Sequence, residues 1–276
     1  MCRMFGLLSA RPVSPRVLLR DAPRSLWTLA REHRDGWGVA IDEPGGWQLH
    51  RDTACAQASP RFDDVADTVR GRVVVAHIRQ KTVGETALAN THPFRRGPLV
   101  FAHNGTVTDP AALAAATSAE RRAEVAGETD SERLFAFVAS AIDRAGDLER
   151  GVALAVRALH EGPALGSLSF LLACGERIFA HRLGRALHLL VRSADEPRGP
   201  ERARAVDEDP GCSAARVGSE VWLPVAPPAR QPAGVPSKVL VVASEPLTDE
   251  AWRELPERSL HVLENGAGGP SVRALV

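Results

Sequence analysis

Apolar positions along the chain fall into short unbroken runs and helical stripes, separated by turn residues. "RMFGLLS" at residues 3–9 is one such run and predicts a strand. "WGVAI" and "WQLHR" flank the turn residues "DEPGG" and predict a hairpin. "RVVVAHIR", with its β-branched centre, predicts a buried strand, and "PLVFAHNG" predicts another that ends at Asn-Gly. Later runs, "SLSFLLACG", "RIFAHRL" and "ALHLLVRS", read as strands joined by tight polar turns. "EVWLPV" and "SKVLVVAS" continue the pattern, with "PPARQPAGVP" as a loop between them, and "SLHVLEN" reads as the last strand.

The helical stripes are fewer. One covers about 15–32, with "SPRVLL" as its start and "HRDG" as its stop. "DPAALAAAT" predicts a helix with Asp109 as N-cap and Pro110 in the first turn. "TDSERLFAFVASAI" and "LERGVALAVRALH" are amphipathic helices, and "TDEAWREL" a short one. Residues 193–218 are charged and rich in Pro and Gly, which predicts a long surface loop. The strands come in hairpins rather than in regular βαβ units. A mixed α/β protein with antiparallel sheets follows.

Composition narrows the function classes. With 276 residues, 44% apolar and 25% charged, the chain has the make-up of a globular domain. Lys and Arg number 34 and Asp and Glu also 34, so the basic excess expected of a nucleic-acid or anionic-membrane binder is missing. Cys2, Cys55, Cys174 and Cys212 form no C-x-x-C pair and have neither zinc nor disulfide-framework spacing. No metal or organic cofactor is expected. Cys174 sits in an apolar run and reads as a small buried hydrophobe. The first residues lack the features of a signal peptide, and no run approaches the roughly 18 apolar residues of a membrane span, so the cytoplasm is the expected location.

The first candidate for chemistry is the opening "MCR". If Met1 is removed, Cys2 carries a thiol and a free α-amine on one carbon. Such an amine has a pKa of roughly 7.7–8.0 and serves as a base near neutral pH. A nucleophile with its own base attached is a working catalytic unit.

Four further stretches bear on it. Arg79 in "AHIRQKTVG" ends a strand, where a guanidinium can hold a carboxylate in a forked pair; a surface ion pair is the plain alternative. His92 in "NTHPF" precedes a proline and is read as structural. Asn104 and Gly105 in "FAHNGTV" offer an amide and a backbone N–H that can converge on an oxyanion, although Asn-Gly is also a common hairpin turn. Asp130 in "GETDSERLF" opens a helix, where it would serve as N-cap; Thr129 could cap instead and leave Asp130 for an ammonium. Taken together, a thiol with its amine, a carboxylate binder, an ammonium binder and two oxyanion donors fit an α-amino acid with a side-chain amide.

At this point the sequence resembles a known family, the class II glutamine amidotransferases. The resemblance rests on Cys2, on Arg79-Gln80-Lys81-Thr82-Val83-Gly84, on Asn90-Thr91-His92-Pro93, on His103-Asn104-Gly105 and on Thr129-Asp130. "HRDGWGVA" and "ASEPLTDEAW" resemble its small stand-alone members. The motifs lie within residues 2–140, and the resemblance implies one amidotransferase domain over 2–276. It implies a four-layer α/β/β/α Ntn-hydrolase sandwich of two antiparallel sheets. It makes Cys2 the nucleophile, its α-amine the base, and Asn104 and Gly105 the oxyanion hole. Arg79, with Thr82 beside it, would bind the substrate carboxylate, and Asp130 its ammonium. Val83 departs from members with His at that position, and His92 and His103 receive supporting roles only.

The activity implied is attack on the amide of glutamine or a γ-glutamyl compound, through a glutamyl thioester. The chain ends too soon for a synthase domain. A separate synthase would then take the ammonia, or hydrolysis is the whole reaction, as in the γ-glutamyl hydrolase of the ergothioneine pathway, which shares the "MCR" start. A non-catalytic glutamine-binding subunit is the rival from another class.

Overall fold

The computed structural model describes residues 2–162, 164–193 and 238–276. Most of the expected surface loop 193–218, the strand expected at "EVWLPV", the loop after it and Cys212 lie outside the described residues.

In chain order the strands are β1 (Arg3–Val13), β2 (Trp37–Glu43), β3 (Gly46–Asp52), β4 (Gly71–Ile78), β5 (Phe94–Arg96), β6 (Leu99–Val107), β7 (Gly166–Cys174), β8 (Arg177–Arg182), β9 (His188–Ser193), β10 (Lys238–Ala243), β11 (Arg253–Glu254), β12 (Ser259–Gly266) and β13 (Gly269–Ala274). The α-helices are α1 (Leu26–Leu29), α2 (Pro60–Thr68), α3 (Pro110–Ala116), α4 (Ala119–Ala123), α5 (Asp130–Ala145) and α6 (Leu148–Glu161). Among the described residues, one sheet has seven strands in the order β11-β9-β10-β1-β4-β2-β3, the other six in the order β13-β12-β8-β7-β6-β5. Every pairing is antiparallel.

Three apolar layers hold the sandwich together. Phe5, Leu7, Val74, Ala76 and Ile78 pack against Leu26 of α1 and Phe62 of α2. Met4, Leu8, Val73 and Val75 face Val100, Ala102, Leu171 and Ile178 between the two sheets. Phe101, Phe170 and Phe179 pack against α5 and α6, with the Phe101 and Phe135 rings stacked at 4.9 Å. The layers therefore run helix, sheet, sheet, helix, the α+β sandwich expected. Because β1, β4 and β6 are covered on both faces, they read as apolar runs without alternation.

Some elements differ from the reading of the sequence. The stripe at 15–32 is no single helix. A π-helical turn at Val17–Asp21 stops at Ala22, which is extended (ψ 150°), and α1 starts afresh after Ser25. Pro23 is the cause: it lacks an N–H and forces the residue before it out of the helical region. "TDEAWREL" forms no helix. Thr248 donates its hydroxyl to Glu250 and accepts from the Trp252 indole, and Arg253–Glu254 pair with β9 instead. Such local side-chain bonds compete with helical ones. "SLHVLEN" is not the last strand, because β13 follows and pairs back along it. As an edge strand it tolerates Pro270. No described helix is long and apolar enough to cross a membrane.

Candidate active site

The register of β1 on β4, with Arg3 opposite Ile78, carries Cys2 to the segment just past β4. The Cys2 Sγ accepts the Gln80 N–H at 3.4 Å and its thiol donates to the Gln80 carbonyl at 3.5 Å. The residue is half-buried. Burial pushes the thiol pKa up, while the Gln80 N–H and the Arg79 charge pull the other way. A nearby base is therefore needed to generate thiolate at neutral pH.

Arg79 is 3% exposed, so the surface ion pair does not apply. Its Nη1 donates to the Glu85 carbonyl at 2.9 Å, and its Nη2 donates to the carbonyls of Val83 and Gly84 at 2.8 and 3.3 Å. The loop after β4 thus wraps the guanidinium in main-chain oxygens. Thr82 and Val83 lie exposed on that loop.

Asn104 and Gly105 do not form a turn. They lie inside β6, opposite Ser169 and Leu168 of β7. Val100 and Ala102 face the other sheet, and the period of two aims Asn104 the same way. Asn104 is 4% exposed, and its Oδ1 has no partner among the described residues. Buried polar atoms are normally paired, so this carbonyl is an exception that a ligand or water could satisfy. A Cβ on Gly105 would lie 1.8 Å from the Ser167 carbonyl oxygen and 2.7 Å from His103 Nε2, so no side chain fits.

At the start of α5, Thr129 is the N-cap: its hydroxyl accepts the Glu132 N–H at 3.3 Å. Asp130 is left as the first helical residue, where the helix dipole favours a carboxylate. It is 5% exposed and accepts the N–H groups of Val107 and Ser131 at 2.7 and 2.9 Å. The Val107 contact hangs Asp130 from β6, two residues beyond Gly105.

Buried histidines fill the space behind. The His77 and His92 rings stack at 4.2 Å, and His77 Nε2 donates to the His103 carbonyl at 3.3 Å, joining β4 to β6. His103 Nε2 donates to the Ser167 carbonyl at 3.1 Å, so its Nδ1 accepts the Ser131 hydroxyl at 2.8 Å. Burial holds His77 down to about 3 and His92 well below its ordinary value, and it lowers His103 as well. Neutral imidazoles here are packing and hydrogen-bonding groups. Residues bearing on the site that the sequence reading left out are His77, Ser131, Glu128 and Glu132. Of these, His77, polar within an apolar run, and Glu132, third after Thr129 in a T-x-x-E helix start, carry a signal in the sequence.

These segments are linked pairwise, Cys2 to Gln80, β4 to β6 through His77, and β6 to α5 through Asp130. Cys2 and Arg79 come from neighbouring strands. Asn104 and Gly105 come from β6, tied to His77 two residues before Arg79. Asp130 hangs from the same β6. Thr82 stays on the exposed loop. Of two cavities, one of about 250 Å³ lies between α5 and α6 and one of about 480 Å³ is lined by Ala89, Arg96, Ala126 and Glu132; Cys2 lines neither. Among the described residues no group of three or more His, Cys, Asp or Glu is placed to hold a metal ion.

The sequence profile of the family described as glutamine amidotransferases class-II matches residues 1–221. A Haemophilus influenzae protein provisionally named a glutamine amidotransferase is 31% identical over 218 residues, covering 76% of this chain and 70% of that protein. A γ-glutamyl-hercynylcysteine sulfoxide hydrolase from Mycobacterium tuberculosis is 31% identical over 204 residues, covering 70% of this chain and 81% of its own. Among solved structures, a glutamine aminotransferase class-II domain protein from Silicibacter pomeroyi superposes with a TM-score of 0.59 at 21% identity, over 100% of both chains.

Proposed function

The chain belongs to the class II glutamine amidotransferases, and from that premise we propose that it is an N-terminal-nucleophile amidohydrolase acting on glutamine or a γ-glutamyl compound. The observation that carries the reading is the half-buried Cys2 thiol held against the Gln80 main chain beside the Arg79 charge.

Removal of Met1 frees the Cys2 α-amine, which accepts the thiol proton. The sulfur attacks the amide carbon, and its C=O electron pair moves onto oxygen. The Asn104 side-chain N–H and the Gly105 main-chain N–H stabilise that oxyanion. The ammonium formed on Cys2 returns its proton to the departing nitrogen. The C–N bond breaks, ammonia or an amine leaves, and a glutamyl thioester remains. Water activated by the same amine hydrolyses it to glutamate. Arg79 holds the α-carboxylate with the Thr82 loop beside it, and Asp130 holds the α-ammonium. No step needs a metal or an organic cofactor. The unit that does this work is one domain over 2–276, acting in the cytoplasm, and its ammonia would pass to a separate synthase.

A second reading, a dedicated γ-glutamyl amide hydrolase, is supported by the similarity to the mycobacterial sulfoxide hydrolase. The test is ammonia release from L-glutamine and amine release from γ-glutamyl amides, with intact-mass measurement of the same protein. Turnover with Met1 removed is expected. Full turnover with Met1 retained would sink the mechanism, and binding without turnover would favour a silent glutamine-binding subunit.

A further inference from the structure

Asn90 belongs to the "NTHPF" stretch, yet the proposed chemistry gives it no part. It ends a short 3-10 turn, Leu88–Asn90, and is 2% exposed. Its Oδ1 accepts the Glu128 N–H at 2.8 Å. Its Nδ2 donates to the Glu85 carbonyl at 3.0 Å and to the Glu128 carboxylate at 3.2 Å. The same Glu128 oxygen accepts the Glu85 N–H at 2.9 Å. One amide therefore joins the loop after β4 to the loop before α5, using its acceptor on one and its donors on both.

Two glycines allow the approach. A Cβ on Gly84, whose φ is +74°, would lie 3.0 Å from Asn90 Nδ2, and one on Gly127 would lie 2.5 Å from Asn90 Oδ1. The second loop is also held from the helix side, because the Glu132 carboxylate accepts the N–H groups of Ala126 and Gly127 at 3.1 and 2.7 Å.

What these loops carry gives the staple its meaning. Residues 83–85 supply the carbonyls around the Arg79 guanidinium, and residues 127–128 run directly into Thr129 and Asp130. We infer that Asn90 is a positioning residue that sets the separation of Arg79 and Asp130, and so selects substrates with a carboxylate and an ammonium on one carbon; this rests on the amino-acid-binding roles proposed above. An amide suits the position because it is donor and acceptor at once. Alanine supplies neither function. Aspartate keeps the acceptor for the Glu128 N–H but sets a carboxylate oxygen against both the Glu128 carboxylate and the Glu85 carbonyl.

The experiment uses the intact chain with Met1 removed. Steady-state kinetics on L-glutamine, or on a γ-glutamyl amide, are measured for wild type, Asn90→Ala, Asn90→Asp and the double change Asn90→Asp with Glu128→Gln. Misplaced binding groups should raise KM by about 10-fold or more in both single variants, with kcat of the titrated active sites held within about threefold. The double change restores a donor facing an acceptor at residue 128, though not at the Glu85 carbonyl, and should recover part of the KM loss, about threefold or more, a coupling that independent sites would not show. Unchanged KM in the single variants, a fall confined to kcat or to the melting temperature, or a double variant no better than Asn90→Asp would each overturn the inference. If Asn90→Ala fails to fold, the aspartate pair decides. A wild type that releases no ammonia or amine would instead count against the proposed function. Calorimetric binding of L-glutamate to the same proteins then reads the positioning directly, with loss in Asn90→Asp and recovery in the double variant as the supporting pattern and unaltered affinity as the refuting one.

Discussion

Exchanging the Cys2 sulfur for oxygen should abolish most turnover, because a hydroxyl is a far weaker nucleophile at neutral pH than a thiol with a base beside it. Cys55 donates to the Ala30 carbonyl at 3.3 Å on the far side of the first sheet, and Cys174 packs at the edge of the core beneath α5 and α6. Cys55→Ala and Cys174→Ala should therefore keep kcat, and labelling by a glutamine-like electrophile should land on Cys2 in both. Asn104→Ala should lower kcat by about 10²–10³ with little change in KM, the usual loss for one oxyanion donor. Its place within β6 removes the turn-shaping alternative. An unchanged kcat would mean that the buried amide does not face the developing charge. The residues proposed to face the ligand could be named from the sequence because they sit in short motifs. Most of their supports could not. Glu128 reaches the Glu85 N–H and Ser131 the His103 ring, contacts that exist only after the fold has brought the loop after β4 and β6 against the start of α5, while Glu132 folds back on the N–H groups of its own preceding loop.

At the scale of elements, α5 and α6 were legible from their apolar stripes, and α5 also from Thr129 as a candidate cap; the α6 cap, Asp147, is seen in the structure. The central strands were legible from their unbroken apolar runs. The misread segments are those where a single local rule overrode the stripe: Pro23 within 15–32, and the Thr248 hydroxyl within "TDEAWREL". The short edge strands β5 and β13 carry too few apolar residues to announce themselves. Glycine 151 shows what packing adds to propensity. In an exposed helix Gly→Ala stabilises by up to about 1 kcal/mol. Here a Cβ would lie 2.4 Å from the Ile142 Cα, so α6 meets α5 through this glycine. Gly151→Ala should therefore destabilise, by about 1–3 kcal/mol as for other overpacked cores. Denaturant melts decide the sign: a stabilised variant would show that the two helices are free to move apart. Thr129→Ala, which removes the α5 cap, should cost about 1 kcal/mol in the same assay.

At the scale of the whole molecule, the buried histidines tie stability to pH. His77 stands between the sheets, and His181 lies under α6 with its Nδ1 donating to the Leu168 carbonyl and its Nε2 3.0 Å from that of His160. Burial depresses both to about 3, against an ordinary value of 6.5. Between those values the unfolded chain binds a proton at each site that the folded chain refuses. Stability should therefore fall as the pH drops below about 6.5, and each histidine should contribute up to about 1.4 kcal/mol per pH unit. Carboxylates with depressed values, such as Asp52 and Asp143, act in the same direction but in a lower window, beginning near their ordinary value of 3.8. The slope between pH 6.5 and 5 consequently belongs to the histidines. His181→Asn keeps a donor at the Nδ1 position for the Leu168 carbonyl and lies on the outer face of the second sheet, away from Cys2. Its stability at pH 7 is expected to fall through lost packing, but its slope between pH 6.5 and 5 should be shallower than that of wild type by close to one proton. Urea titrations at pH 7, 6 and 5 measure this directly. Parallel lines for the two proteins would show that His181 titrates alike in the folded and unfolded chain, and the buried neutral imidazole would have to be given up.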